Sequence, residues 1–243
     1  MAIAGPHLIE ANNLGQAWLA MCNYVLSNHN EVRNLLVAIN DPISIDPSLH
    51  RSVDAFCRSQ GLLTPKHVAY TVFPEGLAKR HTGSGLFAAY NRTRGFFDRV
   101  KTSWGTYFRR MTQYEGQRGR VNQLGRIIDA INSRTTCHRA AYTMLIQQPG
   151  GENVRSRGGP CLNYLALQIE PDEARIISLL AVYRNHDVLE RAYGNFVGLG
   201  WLLGFLCDET NSAVGQLTCL SAHAYIDRRI GALRGLLNTL GQP

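Results

Sequence analysis

"PCLNYLALQIEPDEARIISLLAVYRNHD", residues 160–187, contains two apolar runs separated by Pro-Asp-Glu. Residues 161–169 read as a strand, 171–173 as a turn and 174–184 as a second strand. The second run is apolar on both faces, which predicts a place in the middle of a covered sheet. The polar residues stand at the ends of these runs. Cys161 follows Gly-Gly-Pro directly, and Tyr183-Arg184-Asn185-His186-Asp187 closes the second strand. A lone cysteine there also fits a small buried side chain, because free cysteine is among the most buried residue types.

Outward from this pair, the chain alternates helix and strand signals. Leu14, Ala17, Trp18, Met21, Cys22 and Val25 recur at helical spacing. Residues 34–39 (NLLVAI) read as a buried strand stopped by Asn-Asp-Pro, and Ser52–Gln60 as a short helix ending before Gly61. HVAYTVF (67–73) reads as a strand closed by Pro74, 122–133 as an amphipathic helix, and 140–146 as a strand. The Gly-, Arg- and aromatic-rich stretch 80–119 resists a simple reading, and 148–160 reads as a loop. GNFVGLGWLLGFLCDE (194–209) is apolar all round and predicts a buried helix, followed by a strand at 216–226 and a helix at 228–240. No repeat or linker interrupts the pattern, which predicts one α+β domain over residues 1–243.

Composition narrows the function classes. Six scattered cysteines without a CxxC pair argue against a zinc site and a secreted disulfide framework, and predict a cytoplasmic setting. The longest apolar run, 196–207, is too short to span a membrane. A net charge of +7 points to an anionic partner. The arginines of 80–139 are interleaved with glycines and aromatics and match no nucleic-acid motif, so phosphate binding is preferred over a nucleic-acid surface.

Three polar clusters interrupt segments that otherwise read as core: Cys161; Tyr183–Asp187 with Asn195; and His223-Ala224-Tyr225. Buried polar groups are costly unless paired, so clusters at the ends of adjacent core elements predict one shared site. His223 and Tyr225 lie two apart on a strand and share a face.

The order PC…YRNHDV…GN…HAY resembles thymidylate synthase and the pyrimidine nucleotide hydroxymethylases related to it. The match is strongest over residues 120–228. The resemblance implies a thymidylate-synthase-like mixed sheet covered by helices, with one sheet face forming a homodimer interface. It also implies Cys161 as nucleophile, Arg184 and Asn185 after it on the strand end, Asp187 as a catalytic carboxylate, Asn195 reading the pyrimidine edge, and His223 and Tyr225 on the sugar. Arg139 falls at a phosphate-binding pair whose other member is His138, and Arg33 at the position of a mobile phosphate arginine. The relay glutamate falls at Glu75, with Glu115 as the other candidate. Implied partners are a pyrimidine nucleoside monophosphate and 5,10-methylenetetrahydrofolate, with no nucleic acid or membrane partner.

The chemistry is coherent. A thiolate adding to C6 makes C5 nucleophilic toward a one-carbon electrophile. Arg184, with Arg139 and Arg155, is expected to lower the thiol pKa. The chain ends 18 residues after Tyr225, which under the resemblance implies C5 hydroxymethylation. Reductive methylation of dUMP and a catalytically silent nucleotide-binding relative are the alternatives. The sequence departs from the family at Leu162 for His, Asn185 for Ser, Arg191 for Gly and Tyr193 for Pro. Asn195 leans the base choice toward uracil.

Overall fold

The two runs of 160–187 pair with each other. In the computed structural model, which describes residues 3–93, 104–117, 119–133, 138–139, 141–148, 159–170 and 175–241, they form neighbouring antiparallel strands of one mixed sheet. Its strands are β1 (His7–Asn13), β2 (Glu31–Asp41), β5 (Tyr142–Leu145), β6 (Leu162–Glu170), β7 (Ile176–Tyr183), β8 (His186–Asp187) and β9 (Ala213–Tyr225). The spatial order is β1-β2-β9-β7-β6-β5, with β8 continuing alongside β9. β1 runs parallel to β2, and β7 parallel to β9; the other neighbours on this path are antiparallel. β3 (Tyr114–Gly116) and β4 (Gly119–Val121) form a separate small hairpin. The expected turn at 171–173 lies outside the described residues, as do Cys137, Arg155 and most of the 148–160 loop.

Helices close one face of the sheet. α1 (Leu14–Ser27) starts where the Asn13 side chain accepts from the Gln16 amide, and packs on β1 and β2. α2 (Pro47–Ser59) begins earlier than the periodicity predicts. Asp46 caps it and Pro47 occupies its first turn, a favoured place for proline. Trp18 is fully buried and its indole N–H donates to the Val188 carbonyl (2.9 Å), tying α1 to the segment after β8. Burying such a side chain stabilises the fold by roughly 1.5–3 kcal/mol.

The predicted strand 67–73 is instead a helix, α3 (Pro65–Val72). Its β-branched and aromatic composition favours a strand. Two features override that preference. The Thr64 side chain accepts from the His67 amide with Pro65 in the first turn, which is a helix start signal. Val68, Ala69 and Val72 then form a buried stripe against the long apolar helix α8 (Tyr193–Thr210). That approach depends on glycine: a Cβ on Gly194 would lie 2.5 Å from Val68 Cβ, and one on Gly198 would lie 2.7 Å from the Ala69 carbonyl oxygen.

The remaining helices are α4 (Glu75–Ala78), α5 (Gly83–Arg92), α6 (Tyr107–Thr112), α7 (Gln123–Asn132) and α9 (Ile230–Thr239). The unreadable stretch 80–119 thus holds two short helices and part of the β3–β4 hairpin, with residues 94–103 and 118 outside the description. α7 and α9 fall where the apolar spacing places them. β1, by contrast, was not anticipated.

β7 lies inside the sheet, as expected, but among the described residues helices cover only one of its faces. Ile177, Leu179, Ala181 and Tyr183 are buried, whereas Ile176, Ser178, Leu180 and Val182 are half-buried. No helix among the described residues is long and apolar enough to cross a membrane.

Candidate active site

The sheet register brings the polar clusters to one edge. β6 begins just after Cys161, and antiparallel β7 ends beside that start, with Leu162 opposite Tyr183. Parallel β9 ends alongside β7 and β8, and antiparallel β2 starts opposite its end: Glu31 pairs with Tyr225, and Arg33 with His223. A cavity of about 290 Å³ opens there. Its lining includes Thr71, Trp104, Tyr107, Gly159, Cys161, Asn185, His186, Asp187, Glu190, Arg191, Asn195 and Tyr225.

Cys161 is partly buried. Its backbone N–H and that of Leu162 both donate to the Tyr107 hydroxyl, at 3.3 and 3.4 Å. One phenol therefore anchors the entry to β6. Burial pushes the Cys161 thiol above its ordinary pKa, and nearby Asp187 adds to this, whereas Arg184 and Arg191 pull it down. The expected activation by arginine is thus present in kind, but burial outweighs it in the free chain. Arg184 also donates from Nε to the Pro160 carbonyl (3.1 Å), pinning the residue before the cysteine.

Asp187 closes β8 and caps a π-helical turn, Val188–Ala192, by accepting from the Glu190 amide (2.9 Å). π-helical turns are rare and concentrate at functional sites. Burial raises the Asp187 pKa; the hydrogen bond from Glu190 and the charge of Arg228 oppose that rise. Arg228 donates to Asp187 Oδ2 (3.0 Å) and also pairs with Glu190.

His186, in the middle of the Tyr183–Asp187 cluster, is only 1% exposed. It stacks on Tyr183 with ring centroids 4.2 Å apart. Its Nδ1 faces the Ser221 hydroxyl at 2.8 Å, and its Nε2 lies 3.0 Å from the Asn195 side-chain nitrogen. Burial lowers its pKa to about 3, so the ring is neutral at physiological pH. A neutral ring gives the Asn195 amide one fixed partner behind the cavity wall.

His223 stands between Asn185 Oδ1 (2.6 Å) and Glu31 Oε1 (3.1 Å), and stacks on Tyr225. Cys161, Asn185, Asp187, Asn195 and Tyr225 thus share one cavity. Arg184 and His223 touch its border residues.

Four predicted residues lie elsewhere. Arg33 is exposed on β2, one pairing away from the cavity. Arg139 accepts through its carbonyl from the Ile169 amide, at the opposite end of β6 from Cys161. Eight residues of strand separate these positions, roughly 26 Å at 3.3 Å per residue. Arg139 therefore cannot be the charge that tunes Cys161 in its own chain. Glu75 forms an ion pair with Lys79 on α4 and lines a second cavity, with Phe73, Trp201 and Phe205. Glu115 is half exposed and pairs with Arg120 (2.9 Å).

Sequence reasoning passed over Glu31, Thr71 and Glu190, and noted Arg191 only as a departure. The spacing of Asp187, Arg191 and Asn195, four residues apart each time, carried a signal for one shared face.

No family model matches the chain. Two curated proteins do, both carrying the printed name "Putative thymidylate synthase". The protein from Methanothermobacter thermautotrophicus (strain Delta H) is 26% identical over 224 residues, covering 89% of this chain and 92% of that protein. The one from Methanothermobacter marburgensis (strain Marburg) is 25% identical over the same lengths.

Proposed function

The chain belongs to a thymidylate synthase-like superfamily, and on that premise we propose that it transfers a one-carbon unit to C5 of a pyrimidine nucleoside 5′-monophosphate. The observation that carries the reading is the convergence of Cys161, Asn185, Asp187, Asn195 and Tyr225 on one cavity from three separate elements, β8, α8 and β9, and from the segments that lead into β6 and β8. The Cys161 thiolate adds to C6. The Asn195 amide offers a donor and an acceptor to the base edge. Tyr225 and His223 hold the sugar, and Arg184 the phosphate side.

Trp104 and Tyr107, with ring centroids 4.8 Å apart, give the cavity an aromatic wall suited to the flat ring of a reduced folate. When bound, 5,10-methylenetetrahydrofolate would supply the one-carbon electrophile. The carboxylates of Asp187 and Glu190, held by Arg228, line the same cavity and make it polar beside the cysteine, which is consistent with water as the final acceptor and a hydroxymethyl product. The name of the two relatives favours the alternative, a methyl product.

A homodimer is part of the same reading. Leu8, Leu36, Leu220, Val182, Tyr164 and Leu145 follow one another across the uncovered sheet face in direct register. Leu8 and Leu145, at its ends, are 51% and 48% exposed. A continuous apolar row of this kind suits a second copy of the chain. In such a dimer, Arg139 serves the partner's phosphate.

The test is incubation with C5-tritiated UMP, dUMP, CMP and dCMP, with and without methylenetetrahydrofolate. Release of tritium with a hydroxymethyl product from one of the four supports the full reading. A methyl product replaces its last step. Nucleotide binding without any release would point to a silent relative and overturn the enzymatic reading.

A further inference from the structure

Arg191 brings into the Cys161 cavity a positive charge that no described residue answers. The two carboxylates of the lining are already engaged. Asp187 accepts from Arg228 (3.0 Å) and from the Glu190 amide (2.9 Å). Glu190 pairs with Arg228 and accepts from the Leu63 amide (3.1 Å). Arg184 has its Nε on the Pro160 carbonyl. Arg191 is half-buried, lines the cavity with Cys161 and makes no hydrogen bond or ion pair among the described residues.

A guanidinium cannot escape this cost by deprotonating. Held half-buried without a counter-charge, it is poised for an anion, which it binds through charge-assisted hydrogen bonds. Its place follows from the backbone. The Asp187-capped π-helical turn leads directly into α8, and Asp187, Arg191 and Asn195 all reach the same lining.

We infer that Arg191 is an anion-binding residue of this cavity, holding Cys161 as the thiolate and then the negative charge that passes from sulfur to the bound base. The second half rests on the reading given under Proposed function. When sulfur adds, its lone pair forms the S–C6 bond. The C5=C6 pair moves to C5–C4, and the C4=O4 pair moves onto O4. Charge thus leaves sulfur and arrives on the carbonyl oxygen, and no proton moves. One cation facing both atoms serves both states.

The groups that bear on the thiol are Arg184 and Arg191 on one side of the balance and Asp187 on the other. The neutral phenols of Tyr107 and Tyr225, the buried neutral ring of His186 and the Arg228-paired Glu190 complete the ionisable lining.

The test measures alkylation of Cys161 by iodoacetamide against pH in the full-length chain without nucleotide, with Cys161→Ala as the blank for the other thiols. In Arg191→Gln, the inflection should rise by half to one unit, making alkylation near neutral pH roughly 3- to 10-fold slower. Arg191→Lys should recover most of the rate, and Arg58→Gln, on the exposed face of α2, should change nothing. Melting temperatures confirm that each variant is folded. A folded Arg191→Gln with the wild-type inflection, or a Lys variant no faster than Gln, overturns the inference.

A second arm titrates deoxyuridine and its 5′-monophosphate. Arg191→Gln should weaken both by the same factor; weakening of the monophosphate alone would make Arg191 a phosphate ligand and overturn the inference. The alkylation arm needs no nucleotide. It would therefore hold even if the tritium experiment failed.

Discussion

Two cavities of nearly equal size, about 290 and 300 Å³, border α8, and they differ in everything except volume. The Cys161 cavity lies where β6 begins and β7, β8 and β9 end. Residues there leave the ladder and turn their side chains into a common space. Open sheets place ligands at strand ends for this reason. The second cavity lies along the flank of α8, between Trp201, Phe205, Phe73 and Ile43, and two of its carboxylates, Glu75 and Glu209, have local partners. Glu75 and Lys79 pair at i,i+4 on α4, and Glu209 accepts from the Gly83 amide (2.8 Å). Volume alone does not distinguish a site. Convergence of side chains from separate elements does.

The sharpest way to break this contrast is to remove the carboxylate or thiol that each cavity holds. Cys161→Ala should abolish tritium release, by a factor of a thousand or more, while nucleotide binding persists. Glu75→Gln should retain release within about twofold, because it loses only a local i,i+4 ion pair with the exposed Lys79. A Glu75→Gln variant as inactive as Cys161→Ala would show that the second cavity is part of the machinery.

Acid should next distinguish the polar centre of the first cavity. His186 has a folded pKa of about 3, below the unfolded value near 6.5. Between these values the unfolded chain binds the extra proton, so stability is full above about pH 6.5 and is lost as pH falls toward 3. The loss is on the order of a few kcal/mol across that window. Asp187, whose pKa is raised, works in the opposite direction. Comparing acid unfolding of wild type and His186→Gln isolates the histidine, and the variant should show the shallower dependence.

The smallest effect concerns the α3–α8 contact that both cavities border. Gly198→Ala would put a Cβ 2.7 Å from the Ala69 carbonyl oxygen and 2.8 Å from Val72 Cβ. Overpacking of this kind costs about 1–3 kcal/mol. Gly235→Ala, on α9 with open space around it, should instead stabilise by roughly 0.5–1 kcal/mol. Thermal unfolding of the two variants would show whether close packing, rather than helix propensity, sets the position of α3.

The sequence by itself determined the sheet strands from Cys161 onward and the clustering of polar residues at their ends. Long apolar runs declare burial, and a polar residue tolerated beside them must find a partner. It also located α1, α7 and α8, whose apolar spacing is unbroken over several turns. It misread 67–73 as a strand: the Thr64–Pro65 start signal is local, but the buried stripe that outweighs the β-branched composition depends on Gly194 and Gly198, about 125 residues away, which let α3 approach closely. Nor could it place the carboxylates. Glu75 and Glu190 look equally available in a linear chain, and only the turn after β8 brings Glu190 to the cysteine while α4 carries Glu75 to the other cavity. Local patterns record which atoms must leave water. Which of them meet depends on register and close packing between segments far apart in the chain, and those are properties of the tertiary structure.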